Sequence, residues 1–194
     1  MEFISERTIK LSKQLNDLDF LVLKFVRILE KYVDYVIISG YVAILLGRSR
    51  GTEDIDIFIK PLAKETLSKL YTDLKEHGFW CLNAEQVEDI DEYLRDGIAI
   101  RFARTGETIP NFEVKFTVKR IDGEIFNDDL IVETTAGPLH ISSLERQIAF
   151  KKYYLKSDKD LEDARHLEQL FKEQISSEKI KKYKDLIHLT YGKT

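Results

Sequence analysis

Cysteine occurs once, at Cys81, in a chain of 194 residues. A single thiol excludes an internal disulfide and any zinc site built on several cysteines, and it suits a reducing compartment. Proline is also scarce, at three residues, and no Pro- or Gly-rich linker, internal repeat or low-complexity tract interrupts the chain. No apolar run approaches the roughly twenty residues needed to cross a bilayer. The opening MEFISERTIK lacks the basic-then-apolar layout of a signal peptide, so a cytoplasmic protein is expected. His77, His140, His166 and His188 show no metal-ligand spacing to one another and read as structural or exposed. There is no Gly-rich Walker loop and no Ser-His-Asp set. Lysine and arginine (30) fall short of aspartate and glutamate (34), a net charge of −4. Tight non-specific binding to nucleic acid depends on surplus cations, so that class is disfavoured, although a local basic patch stays open.

What is present is an ordinary globular composition, 43% hydrophobic and 33% charged, of a length that suits one domain or one domain with a helical appendage. Residues 35–61, YVIISGYVAILLGRSRGTEDIDIFIKP, hold the most information. They read as an apolar strand (35–38), a Ser39-Gly40 turn, a short apolar helix (41–46), a polar basic loop and a second strand. Alternation puts Asp54 and Asp56 on one face of that strand, with Ile55 and Ile57 on the other. Aspartate is a poor strand former, and two like charges side by side repel unless a cation lies between them. Hard divalent metals take oxygen ligands, and Mg²⁺ favours one or two carboxylates plus substrate phosphates. Gly40 lets backbone N–H groups approach phosphate, Ser39 adds a hydroxyl, and the helix beginning there aims its positive end at the same place. The plain alternatives are a tight strand-to-helix turn and an edge-strand Asp pair bridged to Arg48 or Arg50. Arg50 either meets phosphate or holds the loop against Asp54, and Thr52 reads as a buttress of that loop.

The Ser39-Gly40 turn followed by Arg50-Gly51-Thr52-Glu53-Asp54-Ile55-Asp56 resembles the nucleotidyltransferase superfamily related to DNA polymerase beta. Within it the chain is most similar to small prokaryotic members, including the AbiEii abortive-infection toxin type. The superfamily usually carries Gly followed by Gly or Ser at the turn, whereas Ser39 here precedes Gly40. The resemblance implies a third acid on a later strand, and Glu113, in NFEVKF, is the candidate for shared metal ligand and general base. The superfamily more often has Asp there, and Glu113 could equally be a solvent-face residue paired with Lys115. The AbiEii type also implies a helix lysine followed by a Lys-Asp-x-x-Asp element. Lys151 would then meet the nucleotide phosphates, with Lys159 and Asp160 shaping the same cleft and Lys152 an alternative to Lys151. Without the resemblance, residues 158–163 are a charged helix start favoured by the dipole.

Elsewhere the pattern predicts a core-packing helix over 16–32 and a weak strand, at an edge or leading into that helix, over 8–11. Pro61 fits the first turn of a helix that Gly78 ends. Further expectations are a strand over 79–82, an acidic helix over 85–95, strands over 98–104 and 112–118, a turn at Asp122-Gly123, and short strands over 130–133 and 139–141. Asp89 and Asp91 repeat the acid-apolar-acid spelling, but on a helix they diverge and read as a solvated face. Ser142-x-x-Glu145 reads as a capping box opening a helix to about 155, and two more helices follow. The expected fold is α/β (α+β), a nucleotidyltransferase fold with a mixed, mostly antiparallel sheet, flanking helices and a C-terminal helical segment. Its core would be 1–141 and its helical segment 142–194. The resemblance implies an enzyme that uses Mg²⁺, two ions expected, to move a nucleoside monophosphate from a nucleoside triphosphate to a hydroxyl. The acceptor would be a tRNA, a protein or a small molecule, and in a toxin–antitoxin setting a small antitoxin partner would accompany it. The rival is a non-catalytic nucleotide-binding or partner-binding module on the same fold.

Overall fold

The computed structural model describes residues 1–192. Among the described residues nine strands form one sheet: β1 (Glu2–Ser5), β2 (Thr8–Lys10), β3 (Tyr35–Ile38), β4 (Asp54–Ile59), β5 (Phe79–Cys81), β6 (Ile100–Arg104), β7 (Asn111–Phe116), β8 (Leu130–Thr134) and β9 (Gly137–Ile141). Their spatial order is β1-β2-β8-β9-β3-β4-β7-β6-β5. The pairs β2/β8, β3/β9 and β4/β7 are parallel and the other pairings antiparallel, so the sheet is mixed and mostly antiparallel, as expected. The helices are α1 (Asp17–Leu29), α2 (Gly40–Leu45), α3 (Lys64–Glu76), α4 (Val87–Arg95), the short α5 (Arg120–Gly123), α6 (Leu144–Phe150), α7 (Asp158–Leu170) and α8 (Ser177–Tyr191). None is long and apolar enough to cross a membrane among the described residues.

The back of the sheet is closed by α1. Asn16 caps it by accepting from the Asp19 N–H at 2.9 Å, while the Asp19 carboxylate accepts from the Asn16 N–H at 3.0 Å. That reciprocal arrangement satisfies two donors left orphaned at a helix start. Asp19 is fully buried and also accepts from the Tyr41 hydroxyl at 2.8 Å, which ties α1 to α2. Downstream, Leu21, Val22, Phe25, Ile28 and Leu29 repeat at three- and four-residue spacing and are all buried. Phe25 stacks on Phe112 of β7, centroids 3.9 Å apart and nearly parallel, and meets Phe79 edge-on. Ile55, Ile57 and Ile59 of β4 and Phe112, Val114 and Phe116 of β7 share this buried layer. By alternation, the other face of the same strands carries Asp54, Asp56, Glu113 and Lys115. Helices α6 and α7 belong to the same core through Leu144, Ile148, Ala164 and Leu167.

Four local expectations need correction. Residues 8–10 are neither an edge strand nor a lead into α1: β2 is sandwiched between β1, a strand the sequence pattern did not reveal, and β8. Pro61 precedes α3 instead of entering its first turn, since Ala63 is the N-cap. Asp122-Gly123, expected as a turn between elements, ends the short helix α5. No capping box opens α6. Ser143 is the N-cap but makes no side-chain capping bond, its hydroxyl donating to Asp128 instead, while Ser142 Oγ accepts from Gln147 Nε2 and Glu145 accepts from the Ser176 N–H. The expected helix to 155 does continue past α6, but as a π-helical segment, Lys151–Leu155. It ends at Lys156, whose φ is +61°.

Candidate active site

Strands β4 and β7 run parallel with Asp56 opposite Glu113 and Phe58 opposite Lys115. Directly aligned residues on neighbouring strands share a face about 4.8 Å apart, so Asp56 and Glu113 are held side by side. Arg101 of β6 faces Glu113 in turn. Three of the expected residues, Asp54, Asp56 and Glu113, therefore do share one face of the sheet. Asp54 is exposed, while Asp56 is drawn back to 18% side-chain exposure and Glu113 to 13%.

A cation already lies between the inner pair. Lys115 Nζ is 3.3 Å from Asp56 Oδ1 and 3.2 Å from Glu113 Oε2. Arg101 takes the other oxygen of Glu113, Oε1, from Nη2 at 2.7 Å and Nε at 2.9 Å. The electrostatics split the two acids. Burial raises the Asp56 carboxyl above its ordinary value, and Lys115 offsets only part of the effect. Burial also pushes Glu113 up, but Lys115 and Arg101 together outweigh it and hold the group below the usual carboxylate range. A carboxylate held down in this way is a weak proton acceptor, so anchoring suits Glu113 better than general-base work. Lys115 loses charge stability to burial, yet its two carboxylate neighbours hold its ammonium above the ordinary value.

Next to the carboxylates opens a cleft of about 500 Å³. Ser39, Asp56, Lys115 and Lys151 line its polar end, and Phe150, Tyr154 and Tyr191 form an aromatic end. Ser39 is the N-cap of α2, but its hydroxyl makes no capping bond and lines the cleft. The unusual backbone of the turn lies at Ser39, with φ +64° and ψ −135°, and not at the glycine beside it. Gly40 supplies room instead: a Cβ there would lie 2.5 Å from Arg50 Nη2.

Arg50 is held away from the β4 acids. Its Nε and Nη2 bind the two oxygens of Asp163 on α7 at 3.1 and 2.9 Å, and its Nη1 donates to the Gly51 carbonyl at 3.0 Å. Lys151, fully buried at the start of the π-helical segment, reaches the same Asp163 at 2.9 Å and Asp160 at 3.3 Å. Arg48 pairs with Glu162 and stands 3.7 Å from Asp163. Thr52 buttresses the loop as read, donating from Oγ1 to the Asp54 carbonyl at 2.8 Å and standing 3.3 Å from Asp54 Oδ1. The structure thus gathers two groups of expected residues. Asp54, Asp56, Glu113 and Thr52 sit on or beside the sheet, and Arg50, Lys151 and Asp160 sit around Asp163. Lys159 is exposed and outside the cleft lining, and Lys152 pairs with Glu168 at 2.9 Å. Sequence reasoning placed Asp163 at the end of the Lys-Asp-x-x-Asp element without giving it a role, missed the aromatic end, and treated Lys115 only as a salt-bridge partner. The available signal for Lys115 was the two-residue spacing from Glu113, which puts both on one strand face.

Donor chemistry suits a divalent metal at one place. Asp54 and Asp56, about 6.6 Å apart along the strand, are hard oxygen donors of the kind Mg²⁺ takes, and Asp56 lines the cleft. Among the described residues, no three carboxylate, histidine or cysteine groups converge as a ligand set, and Lys115 lies between Asp56 and Glu113.

No family model matches the sequence, and no curated protein matches it significantly. Solved structures do. The antibiotic-resistance factor ANT(2″)-Ia in solution aligns over 89% of this chain and 91% of its own, at 16% identity and a TM-score of 0.54. Its crystal structure in complex with adenylyl-2″-tobramycin aligns over 89% and 97%, at 16% identity and a TM-score of 0.56. An antigenic nucleotidyltransferase-like protein from Paracoccidioides brasiliensis aligns over 91% and 90%, at 15% identity and a TM-score of 0.54. Identities this low speak for architecture alone, and on that level the three agree: this chain has the nucleotidyltransferase fold.

Proposed function

We propose that the protein transfers a nucleoside monophosphate from a nucleoside triphosphate to a hydroxyl acceptor. The observation that carries the reading is the parallel register of β4 and β7, which puts Asp56 beside Glu113 with Asp54 two residues before Asp56, all next to a cleft of about 500 Å³. The acceptor oxygen forms a bond to the α-phosphorus as the bond to the β-phosphate oxygen breaks, and pyrophosphate leaves with that electron pair. The proton of the hydroxyl is released to water as the new bond forms. Mg²⁺ held by Asp54 and Asp56 would supply Lewis-acid stabilisation of the charge that develops on phosphate. Ser39 offers a hydroxyl donor beside the phosphates. Lys151 and Arg50, anchored on Asp163, lend positive charge to the same end. The aromatic end, where the Tyr154 and Tyr191 rings lie 4.3 Å apart, suits a planar ring of the nucleotide or of the acceptor.

The neighbour solved with adenylyl-2″-tobramycin supports an adenylyl group as the transferred unit and a small polyhydroxylated acceptor. The AbiEii-type resemblance favours instead a tRNA or protein acceptor, a toxin or defence role and a small antitoxin partner. A second reading, a module that binds nucleotide without transferring it, is favoured by Arg101 and Lys115, which already engage both oxygens of Glu113.

Calorimetric titration of the wild type and the Asp54→Ala/Asp56→Ala variant with each of the four ribonucleoside triphosphates, with and without Mg²⁺, tests the proposal. One triphosphate binding only to the wild type and only with Mg²⁺, followed by label transfer to tRNA, protein or a small polyol, is the expected result. Binding without transfer to any of these supports the second reading. The absence of binding in every arm overturns both.

A further inference from the structure

We infer that this chain supplies one of the two cations of a metal-pair site itself: the Lys115 ammonium replaces the inner ion, and a single divalent metal binds, between Asp54 and Asp56. The inference rests on the nucleotidyl-transfer reading and deepens it. Three observations combine.

The first is register. Asp56 and Glu113 are aligned neighbours on paired strands, so their carboxylates project from adjacent points on one face and repel unless a positive charge separates them. The second is that this charge is covalently present. Glu113 and Lys115 are two residues apart on β7 and share the face, and Lys115 Nζ stands 3.3 Å from one acid and 3.2 Å from the other. An ion entering the same gap would have to expel an ammonium whose charge those two carboxylates stabilise. The third is that Glu113 has no idle oxygen: Oε1 is taken by Arg101 and Oε2 by Lys115. Asp54, by contrast, is exposed, and among the described residues its carboxylate is approached by the Thr52 hydroxyl at 3.3 Å. The outer pair is therefore open to an ion and the inner pair is closed.

A lysine in the inner position has a defined consequence. A point charge fixed to β7 is present at any metal concentration, so the inner acids are neutralised before substrate arrives. Metal dependence then reports one binding event, with no second, weaker one. Lys115 also lines the cleft, where its remaining donor capacity can meet a phosphate oxygen.

The test is a count of bound Mn²⁺ per chain, read from the loss of the free-ion electron paramagnetic resonance signal, on the wild type, Lys115→Met and Lys115→Arg. One ion on the wild type, two on Lys115→Met and one on Lys115→Arg is the expected pattern. Two ions on the wild type, or an unchanged count of one on folded Lys115→Met, would overturn the inference and leave the nucleotidyl-transfer reading standing. If Lys115→Met does not fold, as judged by circular dichroism, the wild-type count still decides between one and two. No bound ion on any of the three proteins removes the metal from the proposed function and the inference with it.

Discussion

Arg50 and Asp163, 113 residues apart in the chain, form a two-pronged ion pair with contacts of 3.1 and 2.9 Å. It joins the loop before β4 to helix α7, and the buried Lys151 completes it from the other side. Asp163 has no exposed surface, so removing it leaves the buried Lys151 ammonium with the longer, 3.3 Å contact to Asp160. Asp163→Ala should lose about 3–5 kcal/mol of folding stability, the usual consequence of breaking one partner out of a buried pair. Arg50→Ala, which leaves Lys151 and Asp163 together, should lose less than half of that. Urea unfolding of the two variants checks the ratio.

The same carboxylate sets a pH dependence. Burial pushes Asp163 up, but Arg50 and Lys151 outweigh it, so its value in the folded state lies below the ordinary one. The stability it adds is present above about pH 3.9, the reference for an unfolded aspartate, and is lost as pH falls through the lowered folded value. The gap in unfolding free energy between wild type and Asp163→Asn should be widest near neutrality. It should narrow below about pH 4, and a gap that stays constant down to pH 3 would count against this assignment.

Ser39 adopts a backbone conformation, φ +64° and ψ −135°, that side chains other than glycine's rarely occupy, at a cost of about 1–3 kcal/mol. Ser39→Gly should relieve the strain, less the roughly 0.4–1 kcal/mol by which glycine favours the unfolded chain. A net gain of about 1 kcal/mol is expected in urea unfolding. Triphosphate affinity should fall in the same variant, because the hydroxyl facing the cleft is gone. A loss of stability would show that the strain is absorbed elsewhere.

Tyr154 is 38% exposed at the aromatic end of the cleft, beside Tyr191 and Phe150. Stacking on an aromatic side chain is worth about 1–3 kcal/mol per nucleobase. Tyr154→Ala should therefore raise the KM of one substrate about ten-fold and leave kcat within about two-fold. Steady-state kinetics with each substrate varied in turn would show whether nucleotide or acceptor uses that end.

The two strands that carry the acids were legible because a period of two is a local property. Asp54–Ile59 appears where the apolar alternation puts it, beside the continuous apolar run Tyr35–Ile38, and NFEVKF gives the face shared by Glu113 and Lys115. Helix α1 was legible through its buried stripe, whereas the Asn16 cap emerged only in the structure. The strand β1 was not, since EFIS has one half-buried residue and is defined by pairing with β2. The expected capping box at Ser142 failed for a tertiary reason: Ser142 and Glu145 bond to Gln147 and to the start of α8 instead. The role of Asp163 was beyond local reading as well. Nothing in DLEDAR announces a partner at Arg50, because the encounter depends on how α7 crosses behind α2.

The carboxylates ride on neighbouring interior strands of the sheet, so their separation is set by the hydrogen-bonded spacing of the backbone and not by any loop. The cleft lining, in contrast, comes mostly from the segment after residue 141 and from turns. Under the proposed function, reaction chemistry and substrate choice can therefore drift independently along a lineage. Substitutions at Phe150, Tyr154 or Tyr191 can recast the cleft for a new acceptor while the lattice under Asp56 and Glu113 stays as it is.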